Sequence, residues 1–317
     1  MKKVFITYKL PGKPELFLRK KGFHVSVHSK NENISKEELI EKVKDADALI
    51  SLLSNKIDKE IIDALPKLKI IANCAVGFNN IDVEYARSKN IIVTNTPDIL
   101  TDATADITVG LVLACARRFY EAEKMMRERK FTGWKPGLLL GMELKEKTFG
   151  LIGAGRIGQA VAKRMKAFGT EIIYFNNSRK TEFENETGAK KVSLNNLLKN
   201  SDIISIHLPL NTTTFHFLNK ENLGQVKKAS ILINTARGEV IDEKFLIKLL
   251  KQKKIFAAGF DVYEGEPKVN PELLKLENVY LLPHIGSATI ETRSAMSILC
   301  VKNIVKVLKG KPPITPV

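Results

Sequence analysis

Three residues of complementary chemistry, Arg237, Glu266 and His284, each stand just past an apolar, strand-like run, in ILINTARG, AAGFDVYEGEP and VYLLPHIG. Open parallel α/β sheets bind ligands outside the carboxyl ends of their strands, where side chains from separate strands converge. A cation, a carboxylate and an imidazole delivered there form a proton-transfer and oxyanion set. Glu266 would hold one imidazole nitrogen of His284 and fix its tautomer, leaving the other to give a proton to a carbonyl oxygen or take it back. Arg237 could form a bidentate pair with a substrate carboxylate and polarise the adjacent carbonyl. The alternatives are a structural histidine and a surface ion-pair arginine. The small residues Gly286 and Ser287 after His284, and the tight NTARG turn, favour the chemical reading.

Upstream lies GLIGAGRIGQ, in which Gly153, Gly155 and Gly158 follow a strand pattern and open a helix pattern. In that context the first glycine permits a tight turn, the second lets backbone approach a pyrophosphate, and the third allows close helix packing. Free amides at the positive end of the helix then hold the phosphates. A glycine-rich turn of an ordinary α/β protein is the plainer reading, but together with the three residues above the loop points to hydride transfer to a carbonyl. The next strand pattern, EIIYFNNSRK, ends in Asn176 where an NAD enzyme would place an acidic residue against the ribose, followed by Asn177, Ser178, Arg179 and Lys180. Without the carboxylate a 2'-phosphate is not repelled, and nearby cations can pair with it, so NADP(H) is favoured with NAD(H) possible. A solvated polar turn is the alternative. In CAVGFNNIDV the amides of Val76 and Gly77 fall at a strand end, where they could bind a carboxylate or simply form a turn.

These groups need elements to position them, and a chain of 317 residues exceeds the size at which single cores stop growing, so two domains are expected. Apolar runs alternate with helical periodicity almost throughout, which is the pattern of β-α-β units and parallel sheets. Strands are expected at KVFITY, HVSVHS, DALISLL, LKIIANCAV and IIVTN, then at TFGLIGAG, EIIYFN, DIISIHL, SILINTA, IFAAGFDV and VYLLP. A helix near PELFLRKKG stops at Gly22, and another starts at Ser35 with a capping box to Glu38. Residues 101 to 130 read as one long helix capped by Thr101 or Asp102, apolar nearly all round in its first half and charged in its second. An extended loop follows, and a last helix spans about Ser287 to Lys309. Because the dinucleotide loop begins only near residue 153, the preceding hundred or so residues form a domain of their own.

Composition narrows the function classes further. Cys74, Cys115 and Cys300 are widely separated in apolar context, which fits buried thiols in a reducing compartment better than disulfides or a metal site. The net charge of +16 would attract nucleic acid, membranes or acidic metabolites. Its lysines are spread along the chain and recur on solvated helix faces, as in SKEELIEKVK, so neither a nucleic-acid nor a membrane partner is expected. The longest apolar stretch, ITVGLVLACA, is too short to span a bilayer, and the basic start runs into a strand pattern without a cleavage site. A cytoplasmic location is expected.

The ordered motifs NCAVGFNNIDV, TDATADITVGLVLACARR, TGWKPGLLLG, GLIGAGRIGQ, INTARGEVID, AAGFDVYEGEP and LLPHIGSAT resemble the D-isomer-specific 2-hydroxyacid dehydrogenase family, nearest its glyoxylate and hydroxypyruvate reductase branch. The resemblance implies two Rossmann-like parallel-sheet domains. A dinucleotide-binding domain, residues 99–286, would be inserted into a discontinuous flavodoxin-like substrate domain, residues 1–98 and 287–317. It implies His284 as proton donor, Glu266 as its partner and Arg237 as substrate anchor. Val76 and Gly77 would hold the substrate carboxylate, with Leu52 and Ser287 beside it. Gly155, Arg156 and Ile157 would hold pyrophosphate, with Ala154 among the cofactor-binding residues, Asn176 to Arg179 would face the adenosine ribose, and Pro209 would line the adenine side. Thr108, Thr235, Ala236, Asp261 and Gly286 would surround the nicotinamide. Trp134 would reach toward the substrate pocket of a neighbouring subunit in a homodimer and bind substrate there, unless it packs within its own chain. The implied reaction is reduction of small 2-keto acids, such as glyoxylate and hydroxypyruvate, to glycolate and D-glycerate. A D-3-phosphoglycerate or D-lactate dehydrogenase remains an alternative, as does a dinucleotide-sensing corepressor-like protein.

Overall fold

The computed structural model describes residues 1–30 and 32–317. From the N-terminus the elements run β1 (Lys3–Ile6), α1 (Pro14–Lys20), β2 (His24–Val27), α2 (Lys36–Val43), β3 (Ala48–Ser51), α3 (Lys59–Asp63), β4 (Ile70–Asn73), α4 (Val83–Ser88) and β5 (Ile92–Thr94). They continue with α5 (Thr101–Arg117), α6 (Phe119–Arg127), β6 (Thr148–Ile152), α7 (Arg156–Ala167), β7 (Glu171–Phe175), α8 (Thr181–Thr187), β8 (Lys190–Lys191), α9 (Leu194–Asn200) and β9 (Ile203–Ile206). The rest of the chain forms α10 (Lys220–Leu223), β10 (Ser230–Asn234), α11 (Glu243–Lys251), β11 (Ile255–Phe260), α12 (Pro271–Leu274), β12 (Val279–Leu281) and α13 (Ile290–Leu308).

The chain makes two compact units, one from Met1–Leu100 with Ser287–Val317 and one from Thr101–Gly286. The first contains a 5-stranded sheet in the order β2-β1-β3-β4-β5, every pair parallel. This is the flavodoxin-like doubly wound order. Both sheet faces are covered, which is why its strands read as continuous apolar runs. Phe5, Leu49, Ile71 and Val93 pack on one side, while Val4, Ile6, Ile50, Ile70 and Ala72 pack on the other with Cys300, Val301 and Ile304 of α13.

The second unit holds a 7-stranded parallel sheet in the order β12-β11-β10-β9-β6-β7-β8. Strand order reverses between β6 and β9, the place where a Rossmann sheet opens a crevice at its carboxyl edge. Phe149, Leu151, Ile203, Ile231 and Ile233 face one core with Ala105, Val109 and Val112 of α5. Their neighbours Ile152, Ile204, Leu232 and Phe260 face the other.

Three local expectations are corrected. The helical pattern at 101–130 is two helices: Arg118, with φ 55°, turns left-handed between α5 and α6. The Tyr120 amide in the first turn of α6 is taken up by the Tyr280 hydroxyl at 2.7 Å. Thr101 and Asp102 lie inside α5 rather than capping it. At α2 only half the capping box forms. The Ser35 hydroxyl accepts from the Glu38 amide at 3.2 Å, but the Glu38 carboxylate pairs with Lys42 at 2.6 Å.

Fully buried strand positions make the second unit sensitive to cavities. Ile233→Ala, at 0% exposure in central β10, is expected to cost about 2–5 kcal/mol. A lowered urea midpoint in circular dichroism would show it, and an unchanged midpoint would contradict the packing.

Candidate active site

The glycine loop lies between β6 and α7, at the reversal of strand order. Gly153 takes φ 96°, which side chains rarely adopt, and a Cβ there would meet the His207 carbonyl at 2.7 Å. A Cβ on Gly158 would stand 2.3 Å from the Gly153 carbonyl, so helix and strand approach only because none is present. A Cβ on Gly155 would meet nothing within 4 Å. Gly155 and Arg156 are exposed, and no side chain caps α7. Open space before uncapped amides at a positive helix end fits a pyrophosphate. Ala154 differs: it is buried, and its amide is donated to Asn176 Oδ1 at 3.2 Å.

Past β7, Asn176 is tied down on both sides, its Nδ2 donating to the Ser178 carbonyl at 2.9 Å. Arg179 Nε donates to Glu184 at 2.7 Å, and the Tyr174 hydroxyl donates to the same carboxylate at 2.7 Å. Those hydrogen bonds from Tyr174 and Arg179 hold Glu184 below its ordinary value. Lys191 adds a cation that the sequence reading did not single out. It lies on the edge strand β8, paired with Tyr174, and its ammonium donates to the Asn177 carbonyl at 3.1 Å. A strand of two residues has too little periodicity to be found from sequence.

Arg237, Glu266 and His284 follow β10, β11 and β12, three neighbouring strands. His284 Nδ1 and Glu266 Oε2 are 2.8 Å apart, and the two side chains are 33% and 34% exposed. The other Glu266 oxygen accepts the Tyr263 amide at 3.0 Å. Burial pushes the Glu266 carboxyl up, but the bond with His284, its charge, the Tyr263 amide and Arg237 together bring it below the usual range. The carboxylate therefore stays charged at neutral pH. Its contribution to stability is present above the unfolded value and is lost as pH falls through the lower folded one.

The loop carrying His284 is held by a buried carboxylate. His284 itself has φ 54°, a left-handed conformation costing on the order of 1–3 kcal/mol unless its surroundings enforce it. Asp261, 1% exposed, accepts the next two amides, Ile285 and Gly286, at 2.7 Å each. Burial raises the Asp261 carboxyl, opposed by those two amides and by His284. The Tyr263 hydroxyl adds a third tie, donating to the Leu282 carbonyl at 2.7 Å.

On β10's side, the Asn234 side chain closes the turn, accepting from the Ala236 amide at 3.0 Å and donating to the Arg237 carbonyl at 2.8 Å. A Cβ on Gly238 would stand 1.9 Å from the Tyr263 carbonyl carbon. Only glycine lets the arginine turn lie against the loop that bears Glu266. The half-buried Arg237 donates to the Ala236 carbonyl at 2.6 Å. Burial lowers its affinity for protons, while the carboxylates of Glu266 and Glu239 work the other way. Thr108 is fully buried and donates to the Thr104 carbonyl at 2.8 Å, so the Thr235 hydroxyl, also 2.8 Å away, must donate to Thr108. Thr104 in turn donates to the Gly286 carbonyl at 3.3 Å.

The description "D-isomer specific 2-hydroxyacid dehydrogenase, NAD binding domain" matches residues 109–286. Glyoxylate reductase of Thermococcus litoralis is 48% identical over 315 residues, 98% of this chain and 95% of that one. The chain belongs to the D-isomer specific 2-hydroxyacid dehydrogenase family. Among solved structures, an NADPH-dependent glyoxylate/hydroxypyruvate reductase of Sinorhizobium meliloti, in complex with NADP and malonate, is 31% identical with a TM-score of 0.87, covering 100% of this chain and 96% of that one. A D-lactate dehydrogenase of Aquifex aeolicus, complexed with NAD and lactic acid, is 28% identical with a TM-score of 0.85, covering 97% and 96%. A nicotinamide dinucleotide is thus the cofactor of this dehydrogenase.

The first unit of the dehydrogenase offers its own anion-shaped feature. Among the described residues nothing accepts from the Val76 or Gly77 amide. Their carbonyls are tied instead, Val76 to the Asn95 side chain at 2.8 Å and Gly77 to Asn73 at 2.9 Å. Asn80 bridges the Leu52 and Asn55 carbonyls at 3.1 and 2.9 Å, and Asn55 accepts the Leu52 amide at 2.8 Å. These asparagines, missed in the sequence, fix the loops after β3 and β4. Ser287 begins the returning segment of this unit, partly buried, and α13 starts only at Ile290 with Thr289 as its cap. Pro209 is exposed past β9, and Ala236 is half-buried in the arginine turn. Trp134 is 81% exposed rather than packed within its own chain. Among the described residues no group of three or more His, Cys, Asp or Glu is placed to hold a metal, and no helix is long and apolar enough to cross a membrane.

Gly238→Ala is expected to push the arginine and carboxylate loops apart at a cost of about 1–3 kcal/mol. Thermal unfolding would read this as a lower Tm, and an unshifted Tm would refute the close backbone contact.

Proposed function

We propose that this dehydrogenase reduces small 2-keto acids, glyoxylate and hydroxypyruvate foremost, with His284 as acid, Glu266 as its partner and Arg237 as substrate anchor. One observation carries the reading: a 2.8 Å imidazole–carboxylate pair with Arg237 on the neighbouring strand end. The 48% identity to a glyoxylate reductase over nearly the whole chain supports the substrate class.

When bound, the reduced nicotinamide supplies a hydride to the carbonyl carbon. Glu266 accepts from His284 Nδ1, which leaves Nε2 as the nitrogen that carries a proton to the substrate oxygen. Placed proton transfer of this kind is worth about 10²- to 10⁴-fold in rate. Arg237, carried on a turn that Asn234 closes, holds the substrate carboxylate and stabilises negative charge on the carbonyl oxygen. In the first unit, the Val76 and Gly77 amides hold a substrate carboxylate without adding a competing charge, with Leu52 and Ser287 as further substrate-binding residues. Residues 1–98 and 287–317 serve as the substrate domain and 99–286 as the cofactor domain.

Gly153 and Gly158 shape the cofactor loop, while Gly155, Arg156 and Ile157 meet the pyrophosphate. Thr235, Ala236 and Gly286 flank the nicotinamide. Asp261 acts there through the two amides it holds, Thr108 acts through Thr235, and Ala154 acts through Asn176. Pro209 lines the adenine side. Asn176, Asn177, Ser178 and Arg179 receive the adenosine ribose, and with Lys191 they favour NADPH over NADH. The cations face one carboxylate, Glu184, which Tyr174 shares. The segment 119–140, which carries the exposed apolar side chains Phe119, Tyr120, Met126, Phe131, Trp134 and Leu140, supplies the surface of a homodimer, where such side chains are taken out of water. The cytoplasm is the proposed location.

Initial rates on glyoxylate, hydroxypyruvate, pyruvate and phosphohydroxypyruvate, each with NADPH and NADH, test the substrate and cofactor together. The expected ranking puts the first two ahead, and a preference for pyruvate or for the phosphorylated acid would move the assignment to the lactate or phosphoglycerate branch. His284→Ala should lower kcat by about 10²-fold or more while NADPH binding stays near normal; wild-type turnover would remove His284 from its role. Asn176→Asp places a negative charge at the ribose end and should cut kcat/KM for NADPH by about tenfold, the scale of one like-charge contact at a wet surface, with NADH little affected. An equal loss for both cofactors would count against the ribose assignment.

A further inference from the structure

Cys74 and Cys300 are separated by more than two hundred positions, yet the fold brings them to one layer. Cys74 continues β4 by one residue, its amide donating to the Ser51 carbonyl at 2.8 Å. Alternation along the strand therefore puts Ile70, Ala72 and Cys74 on the same sheet face, where all three join a cluster that contains Cys300. Cys300 is 1% exposed on the inner side of α13, beside Val301 and Ile304. The helix α13 packs on β4 there, and Cys74 as a neighbour together with burial holds the Cys300 thiol well above its ordinary value. Cys74 is partly exposed, whereas Cys115 is buried in the other unit's core.

We infer that Cys74 and Cys300 form a redox-convertible dithiol, closing to an intramolecular disulfide when a low-molecular-weight disulfide is the oxidant. Cys74, the sulfur with access to solvent, attacks one sulfur of the oxidant and expels its partner as a thiolate, giving a mixed disulfide on Cys74. The Cys74 proton passes to solvent and the expelled thiolate takes that of Cys300, whose sulfur then attacks the Cys74 sulfur and releases a second thiolate, which takes up the proton that Cys74 gave. Two protein thiols are oxidised and one small disulfide is reduced to two thiols, so atoms and electrons balance. The new bond would fasten the end of β4, two residues before Val76, to α13. Reduced conditions keep both thiols free, as the structure has them.

The test uses the full chain, incubated with excess oxidised glutathione, then unfolded in an alkylating reagent that labels and counts every remaining thiol, and digested for mass spectrometry. The three thiols of the reduced protein should fall to one, with a single peptide pair joined through Cys74 and Cys300. Cys115→Ser should form the same link, and Cys300→Ser should stop with glutathione on Cys74. A wild-type protein that keeps all three thiols, or that stops with glutathione on Cys74 and no joined peptide, would overturn the inference.

Discussion

Backbone proximity at the carboxyl edge of one parallel sheet is the constraint on which the rest depends. Glu266 reaches His284 because the loops after β11 and β12 are laced together by Asp261, which accepts two amides directly after the histidine, and by Tyr263, which serves both loops. Arg237 joins them because Gly238 has no side chain to hold the next loop away. Each of these ties sets where Arg237, Glu266 or His284 stands. A site built in this way tolerates little change in its supports, since displacement by an ångström is felt in positioning.

The electrostatics follow from that packing. Burial alone would favour the neutral form of Glu266, but the histidine, an amide and the arginine outweigh it, so the carboxylate remains an acceptor. Asp261 goes the other way, raised by burial despite its two amide donors. Neighbouring carboxylates with opposite displacements divide the labour: one stays charged beside the imidazole, and the other is committed to the backbone. The left-handed His284 is the strained element that this commitment sustains.

Much of this was legible in the sequence, for physical reasons. Strands covered on both faces must read as apolar runs, so their ends, and the residues just past them, could be located. The glycines at 153 and 158 announced a tight turn and a close helix contact, and those are the environments they occupy. What escaped notice depended on contacts distant in sequence or on single backbone angles. The left-handed Arg118 interrupts a periodicity that has no Gly or Pro between residues 111 and 130 to mark the break. Lys191 matters only because a two-residue strand carries it to Asn177. The asparagines at 55, 73, 80 and 95 look like loop polarity until their side chains are seen closing the turns that present Val76 and Gly77.

The central claim is that imidazole and carboxylate act as one unit, and a double-mutant cycle measures that coupling directly. Steady-state kcat/KM for glyoxylate reduction would be compared for the wild type, Glu266→Gln, His284→Ala and the double variant. Glu266→Gln is expected to cost about tenfold or more in the wild-type background and less than about twofold once His284 is gone, because a partner with nothing to orient has no effect. The same factor in both backgrounds would mean that Glu266 works independently of His284, and the account would be wrong.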